Sequence, residues 1–483
     1  MKKFLLFLLV VFPLASFSQE EYSLSLFEEF TGEAEDDYAG YSVSSAGDIN
    51  GDEYNDFLVS ADGNDDGGSN AGAAYLIYGQ ATPYAGTISL ADADAEFTGE
   101  VAGDDAGISV SSAGDINNDG YDDIIIGAWF NNDGGSYAGA AYLIYGQAIQ
   151  YSGTISLADA DAEFTGEAAE DYAGWSASSA GDVNNDGYDD IIIGAWCNDD
   201  GGSYAGAVYL IYGQAIQYSG TISLADANAE FTGEMSRDEA GYSVSSAGDV
   251  NNDGYDDFLI GAPYKDDYTG AVYLIYGQAI QYSGTISLAD ADAKFTGEAA
   301  EDWAGMSVSS AGDINNDGYD DILVGAYRND DAGSNAGAVY LIYGQITPYT
   351  DTISLADADA EFTGEAANDS AGVSVSLAGD VNKDGYDDIL VGAYYNDDAG
   401  SNAGAAYLIY GQAAPYTGTI SLADADAEFS GEAANDNAGV SVSLAGDVNS
   451  DGYDDVLISA YNNDDAGLDA GAAYLGYLYI DAD

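Results

Sequence analysis

The chain has 483 residues, of which 86 are Asp or Glu and only 7 are Lys or Arg, so its formal charge at pH 7 is −79. That excess excludes nucleic acid and anionic membrane as favourable partners and leaves cations or basic surfaces. Histidine is absent and Cys197 is the single cysteine, which removes imidazole catalysis, the usual zinc ligands and any intramolecular disulfide.

Residues 1–18 open on Lys2 and Lys3, run apolar from Phe4 to Leu14 and end in Ser16-Phe17-Ser18, a small-x-small pattern. This reads as a secretory signal peptide, because its apolar core is well short of the roughly 20 residues that span a bilayer. A secreted or cell-surface protein without membrane insertion is expected. Next comes Tyr22–Glu33, which carries the Phe-Thr-Gly-Glu ending of a repeat but nothing of its head.

From there the chain is one unit used seven times, read as a single domain over residues 19–483. The nine-residue pattern Asp115-Ile-Asn-Asn-Asp-Gly-Tyr-Asp-Asp123 recurs at 48–56, 115–123, 182–190, 249–257, 313–321, 380–388 and 447–455. Position 1 is Asp48, Asp115, Asp182, Asp249, Asp313, Asp380 and Asp447. Position 3 is Asn50, Asn117, Asn184, Asn251, Asn315, Asn382 and Asn449. Position 5 is Asp52, Asp119, Asp186, Asp253, Asp317, Asp384 and Asp451. Position 9 is Asp56, Asp123, Asp190, Asp257, Asp321, Asp388 and Asp455. Oxygen donors at alternate positions around a glycine turn are the layout of a calcium loop, since this hard cation takes six to eight oxygens. Position 7 would add a backbone carbonyl, from Tyr54, Tyr121, Tyr188, Tyr255, Tyr319, Tyr386 and Tyr453. One Ca²⁺ per repeat is therefore expected.

An EF-hand needs a bidentate glutamate at position 12 and flanking helices. Position 12 here is Val59 or Ile126, and the loop runs into Asp123-Ile-Ile-Ile-Gly-Ala-Trp129, a β-branched run typical of a strand covered on both faces. In the third repeat the expected strands are Gly174–Gly181, Asp190–Trp196, Gly206–Gly213 and Thr221–Glu234, with a helical turn in the Ala-Asp-rich stretch before Phe231. Four short strands per unit predict an all-β, seven-bladed propeller of four-stranded antiparallel blades. The last copy lacks a fourth strand, and pairing Tyr22–Glu33 with Gly471–Leu478 would close the ring and leave no open edge.

A meander puts every loop between strands 1 and 2 on one face. The opposite, open face is acidic too. Asp66, Asp133, Asp200, Asp267, Asp331, Asp398 and Asp465 recur in one turn, and Asp37, Asp104, Asp171, Asp238, Asp302, Asp369 and Asp436 in the crossing between blades. These read as a ring of paired carboxylates, solvated or holding further cations. Tyr75 and its six counterparts in strand 3 read as packing between blades, with sugar stacking as the alternative.

With loop and strands laid out, the unit resembles the FG-GAP repeat of integrin alpha-chain propellers. The residues carrying the likeness are Gly248-Asp-Val-Asn-Asn-Asp-Gly-Tyr-Asp-Asp257, Gly261-Ala-Pro263 and Gly270-Ala-Val-Tyr273. The resemblance implies calcium in the loops and partner binding in adhesion on the opposite face. Two loops depart from it: Glu53 replaces glycine at position 6, where positive φ would cost about 1 kcal/mol, and Lys383 sits inside the sixth loop. The leading expectation is a non-enzymatic binding or cell-adhesion module that takes a protein or glycan ligand on the open face, with calcium mainly structural. A lectin-like propeller is the alternative, followed by a calcium-dependent hydrolase and by a matrix protein that self-associates through bridging calcium.

Overall fold

The computed structural model describes residues 20–23 and 27–477, so the expected signal peptide lies outside the described residues. Seven five-stranded sheets succeed one another, the first strand of each packing on the first strands of its two neighbours in a closed circle. This is the seven-bladed propeller, with the first strands innermost.

Blade 3 shows how the repeat folds. Its first four strands are Ala173–Gly181, Asp190–Ala195, Ala207–Ile211 and Ala229–Thr232, all paired antiparallel. The second strand is buried along its whole length because both its faces meet a neighbouring blade. In blade 2, Ile124 and Ile126 pack into the cluster shared with blade 1, whereas Ile125 packs into the cluster shared with blade 3. Seven such clusters between blades make up the core. Blades also approach by backbone: a Cβ on Gly194 would stand 2.2 Å from the carbonyl oxygen of Gly241 in the next blade.

Each sheet has a fifth strand that the four-strand expectation left out. The expected strand Thr221–Glu234 is broken into Gly220–Ser223, a single 3-10 turn Leu224–Asp226, and Ala229–Thr232. The Ser223 hydroxyl caps the turn by accepting the Ala225 N–H, and Leu224 is buried. The first piece pairs in parallel with Ala162–Thr165, the fourth strand of blade 2, and only the last piece belongs to blade 3. Each repeat thus laces itself to the blade before it.

The ring closes by the same device. Glu28–Thr31 pairs antiparallel with Ala472–Leu475 as the fourth strand of blade 7. Glu20–Ser23 pairs in parallel with Ala427–Ser430 as the fifth strand of blade 6. The N-terminal segment therefore joins two blades, one more than the expected pairing. Among the described residues no helix is long and apolar enough to cross a membrane.

Candidate functional site

In each loop the three aspartates sit at three depths. Position 9 is fully buried, position 1 half-buried and position 5 exposed, as in Asp123, Asp115 and Asp119. The Asp115 carboxylate accepts the N–H groups of Asp119 and Gly120 at 2.9 and 2.8 Å, which fixes the turn. Asp119 accepts the N–H of Tyr121 at 3.3 Å, and Asp123 accepts from Ile116 at 3.0 Å and Gly146 at 2.7 Å. Asn117 is buried beside them with its Nδ2 lacking a partner among the described residues.

Burial pushes the position-9 carboxyls Asp56, Asp123, Asp190, Asp257, Asp321, Asp388 and Asp455 up to about 8, and the charges at positions 1 and 5 add to the rise. Among the described residues no cationic side chain pairs with them. A donor set of oxygen alone, with a buried carboxylate short of counter-charge, fits a hard cation.

The loops are joined to one another through a residue that the sequence pattern displayed in every copy without revealing its partner. The position-8 side chain of each following loop accepts the position-1 N–H of the loop before it. It is a carboxylate at six junctions, as in Asp48 N–H to Asp122 at 2.7 Å and Asp115 N–H to Asp189 at 2.8 Å, and the Asn55 amide oxygen, from Asp447 N–H at 3.2 Å, where the ring closes. Position 4 takes part too: Asn118 donates its side-chain amide to the carbonyl of Gly187 at 2.6 Å and has φ of 53°. At that position Lys383 reaches the seventh loop, donating to the Asp451 carbonyl at 3.0 Å and lying 3.8 Å over the Tyr453 ring. Glu53 holds the expected positive φ, 71°.

On the open face the expected pairing is rearranged. Asp37 and its counterparts are buried and accept a backbone N–H three residues back, as from Ala34 at 2.8 Å and Val101 at 3.1 Å. Asp66, Asp133, Asp200, Asp331 and Asp465 instead meet two glutamates each. The groups Glu33–Asp66–Glu96, Glu100–Asp133–Glu163, Glu167–Asp200–Glu230, Glu298–Asp331–Glu361 and Glu29–Glu432–Asp465 each bring three carboxylate oxygens within 4.8 Å of one another.

Tyr75, Tyr142 and their counterparts are fully buried, which rules out sugar stacking on them. The second tyrosine of the strand accepts an N–H from the next repeat, as Tyr145 does from Tyr218 at 2.7 Å. Half-buried aromatic side chains gather elsewhere, around the open-face end of the axial channel. Every tryptophan of the chain is there: Trp129, Trp175, Trp196 and Trp303. Trp175 and Tyr242 are 5.2 Å apart and share the channel wall. Tyr268 stacks on Trp303 at 5.4 Å, and the Arg328 guanidinium lies 4.4 Å over the same indole. The tryptophans of this crown fall in blades 2, 3 and 5, and tyrosines continue the ring in blades 1, 6 and 7, with Tyr41 6.0 Å from Tyr461 and Tyr394 stacked on Tyr395. The strand 1 position itself changes from Tyr41, Trp175 and Tyr242 to Ile108, Met306, Val373 and Val440. Cys197, next to Trp196, is buried, and burial raises its thiol.

Comparison with known proteins finds the FG-GAP repeat at residues 39–77, 106–144, 173–211, 240–275, 304–342, 371–409 and 438–480. A second match, to a family of unknown function, covers residues 265–305. Among curated proteins the chain is similar to integrin alpha pat-2 of Caenorhabditis elegans, 27% identical over 53% of this chain and 21% of that protein. It is similar to integrin alpha-5 of Xenopus laevis, 31% identical over 35% of this chain and 16% of that one. It is also similar to integrin alpha-V of Gallus gallus, 29% identical over 47% and 20%. The match spans about a fifth of the length of these relatives. Seven repeats on seven blades, covering more than half of the sequence, place this chain in the FG-GAP repeat family.

Proposed function

We propose that this chain is a secreted, calcium-binding propeller that serves as an adhesion-type binding module, with calcium in the loops and the ligand on the opposite face. Positions 1, 3, 5 and 9 and the position-7 carbonyl would hold each ion. When bound, it would supply charge neutralisation for a buried aspartate and tie the first strand of a blade to its second. The ligand assignment rests on one observation: the tryptophans at the channel mouth stand only in blades 2, 3 and 5 and so break the seven-fold pattern, and a repeat protein that binds one partner needs such a break. Large rings with polar edges are the usual anchors of a protein interface. The lack of any histidine in the chain supports a non-enzymatic role.

A glycan ligand is the second reading, favoured by Tyr137, Tyr204 and Tyr268, flat rings 44%, 44% and 45% exposed on the turns of blades 2 to 4. Immobilised protein offered a glycan panel and, separately, intact cells distinguishes the two. Attachment of cells that Trp303→Ala abolishes, without any glycan retained, supports the protein-ligand reading. Retention of a defined glycan lost in Tyr268→Ala supports the lectin. Attachment unaffected by either substitution overturns the crown as the site.

A further inference from the structure

We infer that the open face carries a second ring of cation sites, one at each blade junction built from three carboxylates, and that at the junction of blades 3 and 4 lysines of the chain itself take the place of the ion. The sites are independent of the calcium loops, which lie at the other end of the strands.

The unsatisfied oxygens carry the argument. Glu163 is 8% exposed. One of its oxygens accepts the Thr221 hydroxyl at 2.9 Å, and the other, Oε1, is buried with no partner among the described residues. Glu29, Glu96 and Glu230, at 6%, 8% and 9% exposure, repeat the arrangement, with one oxygen on a threonine and Oε1 unpartnered. A buried carboxylate oxygen with neither donor nor counter-charge is costly. Here the carboxylate also belongs to a cluster in which it and two others bring one oxygen each within 4.8 Å of one another. Burial, reinforced by the charges of Glu100 and Asp133, pushes Glu163 up to about 7.

Blade 4 supplies the internal control. Its fourth strand reads Ala293-Lys-Phe-Thr296, so Lys294 stands where the other blades place Glu29, Glu96, Glu163, Glu230, Glu361 and Glu428. In the turn after its second strand, Lys265 stands where blades 2 and 3 place Asn131 and Asn198. Both converge on Glu234, the counterpart of Glu100: Lys294 Nζ is 2.8 Å and Lys265 Nζ 3.1 Å from its carboxylate, and Lys265 is also 2.8 Å from Asp238. Burial alone would raise Glu234, yet the hydrogen bonds from the two lysines hold it below its ordinary range. Two of the chain's 7 basic residues are thus spent on one junction. A positive charge occupies this place where the sequence provides one. Elsewhere an asparagine stands at the Lys265 position and donates its neutral amide to the first glutamate, as Asn131 does to Glu100 at 3.4 Å and Asn198 to Glu167 at 3.5 Å, which leaves the charge of the three carboxylates unmatched.

The ligand class follows from the donors. Carboxylate oxygens, without nitrogen or sulfur, select a hard divalent cation such as calcium or manganese. The buried glutamates restrict it to a small ion.

The test is to crystallise the full chain in manganese chloride and locate the ions by anomalous scattering, since each site then reports separately. The expected result is an ion at Glu100–Asp133–Glu163 and at Glu33–Asp66–Glu96, and none beside Glu234. The double substitution Lys265→Asn with Lys294→Glu restores the residues of blade 3 and gains one open-face ion, whereas Glu163→Lys loses one. Filled loops with an empty open face, or an unchanged ion count in the double variant, overturn the inference. Empty loops with filled triads leave it standing and remove the calcium-loop proposal instead. Glu163→Gln, which keeps the side-chain shape, provides the loss measurement where Glu163→Lys fails to fold.

Discussion

On the loop face Asp123 has both oxygens held by backbone N–H groups, from Ile116 and Gly146, whereas on the open face Glu163 has one oxygen on Thr221 and the other unpartnered. Both carboxylates are buried and both are raised, to about 8 and about 7. The difference lies in what holds the side chain when no cation is present. The loop aspartate is part of the turn's own hydrogen bonding and stays ordered as a structural element. The open-face glutamate is held through the Thr221 hydroxyl, and in blade 4 its place is taken by Lys294. The loop donors at positions 1, 3, 5 and 9 also repeat in every blade, while the open face varies from blade to blade in its lysines and tryptophans. Repetition marks what every blade needs to fold, and departure marks what one part of the ring does alone.

Removing metal should separate the faces most strongly. At one hundred times Kd each site adds about 2.7 kcal/mol, so full chelation is expected to lower the melting temperature by more than about 10 °C. A melt unmoved by chelator, with no calcium bound, would remove the loop assignment.

Next in size is a pH effect of the metal-free protein. The position-9 aspartates titrate near 8 when folded and near 3.8 when free, so between those values the folded state binds more protons than the unfolded one. Stability must then fall as pH rises from about 4 through 8, by linkage. Urea midpoints of metal-free protein at pH 5 and pH 8 check the sign, and saturating calcium should flatten the slope. A midpoint that rises with pH would contradict the burial of these groups.

Single substitutions sharpen the contrast. Asp123→Ala strands the N–H groups of Ile116 and Gly146, at a cost of about 2–4 kcal/mol, and should remove one bound calcium. Glu163→Gln strands no backbone donor and relieves like-charge repulsion, so the metal-free protein should lose less than about 1 kcal/mol or gain stability. Equal losses from the two would erase the distinction between the faces. Smallest of all, Glu53→Gly should stabilise the first loop by about 1 kcal/mol, because φ of 71° at that residue costs glycine nothing.

Much of this protein was legible along the chain because repetition exposes local chemistry. The period, the loop residues Asp115 to Asp123, the buried Ile124–Ile126 strand and the headless segment before Glu33 were enough to specify seven blades and their closure. Local hydrogen bonding inside one loop depends on spacing alone. The tertiary structure decided whatever requires two blades to dock. It set the fifth strand, since Gly220–Ser223 finds its partner in the preceding blade. It brought Asp122 to Asp48, 74 residues apart. It also joined Glu100, Asp133 and Glu163 across a junction, and gathered Trp129, Trp175, Trp196 and Trp303 around one channel mouth. Those pairings follow from how far one blade is rotated against the next, which no spacing within a repeat encodes.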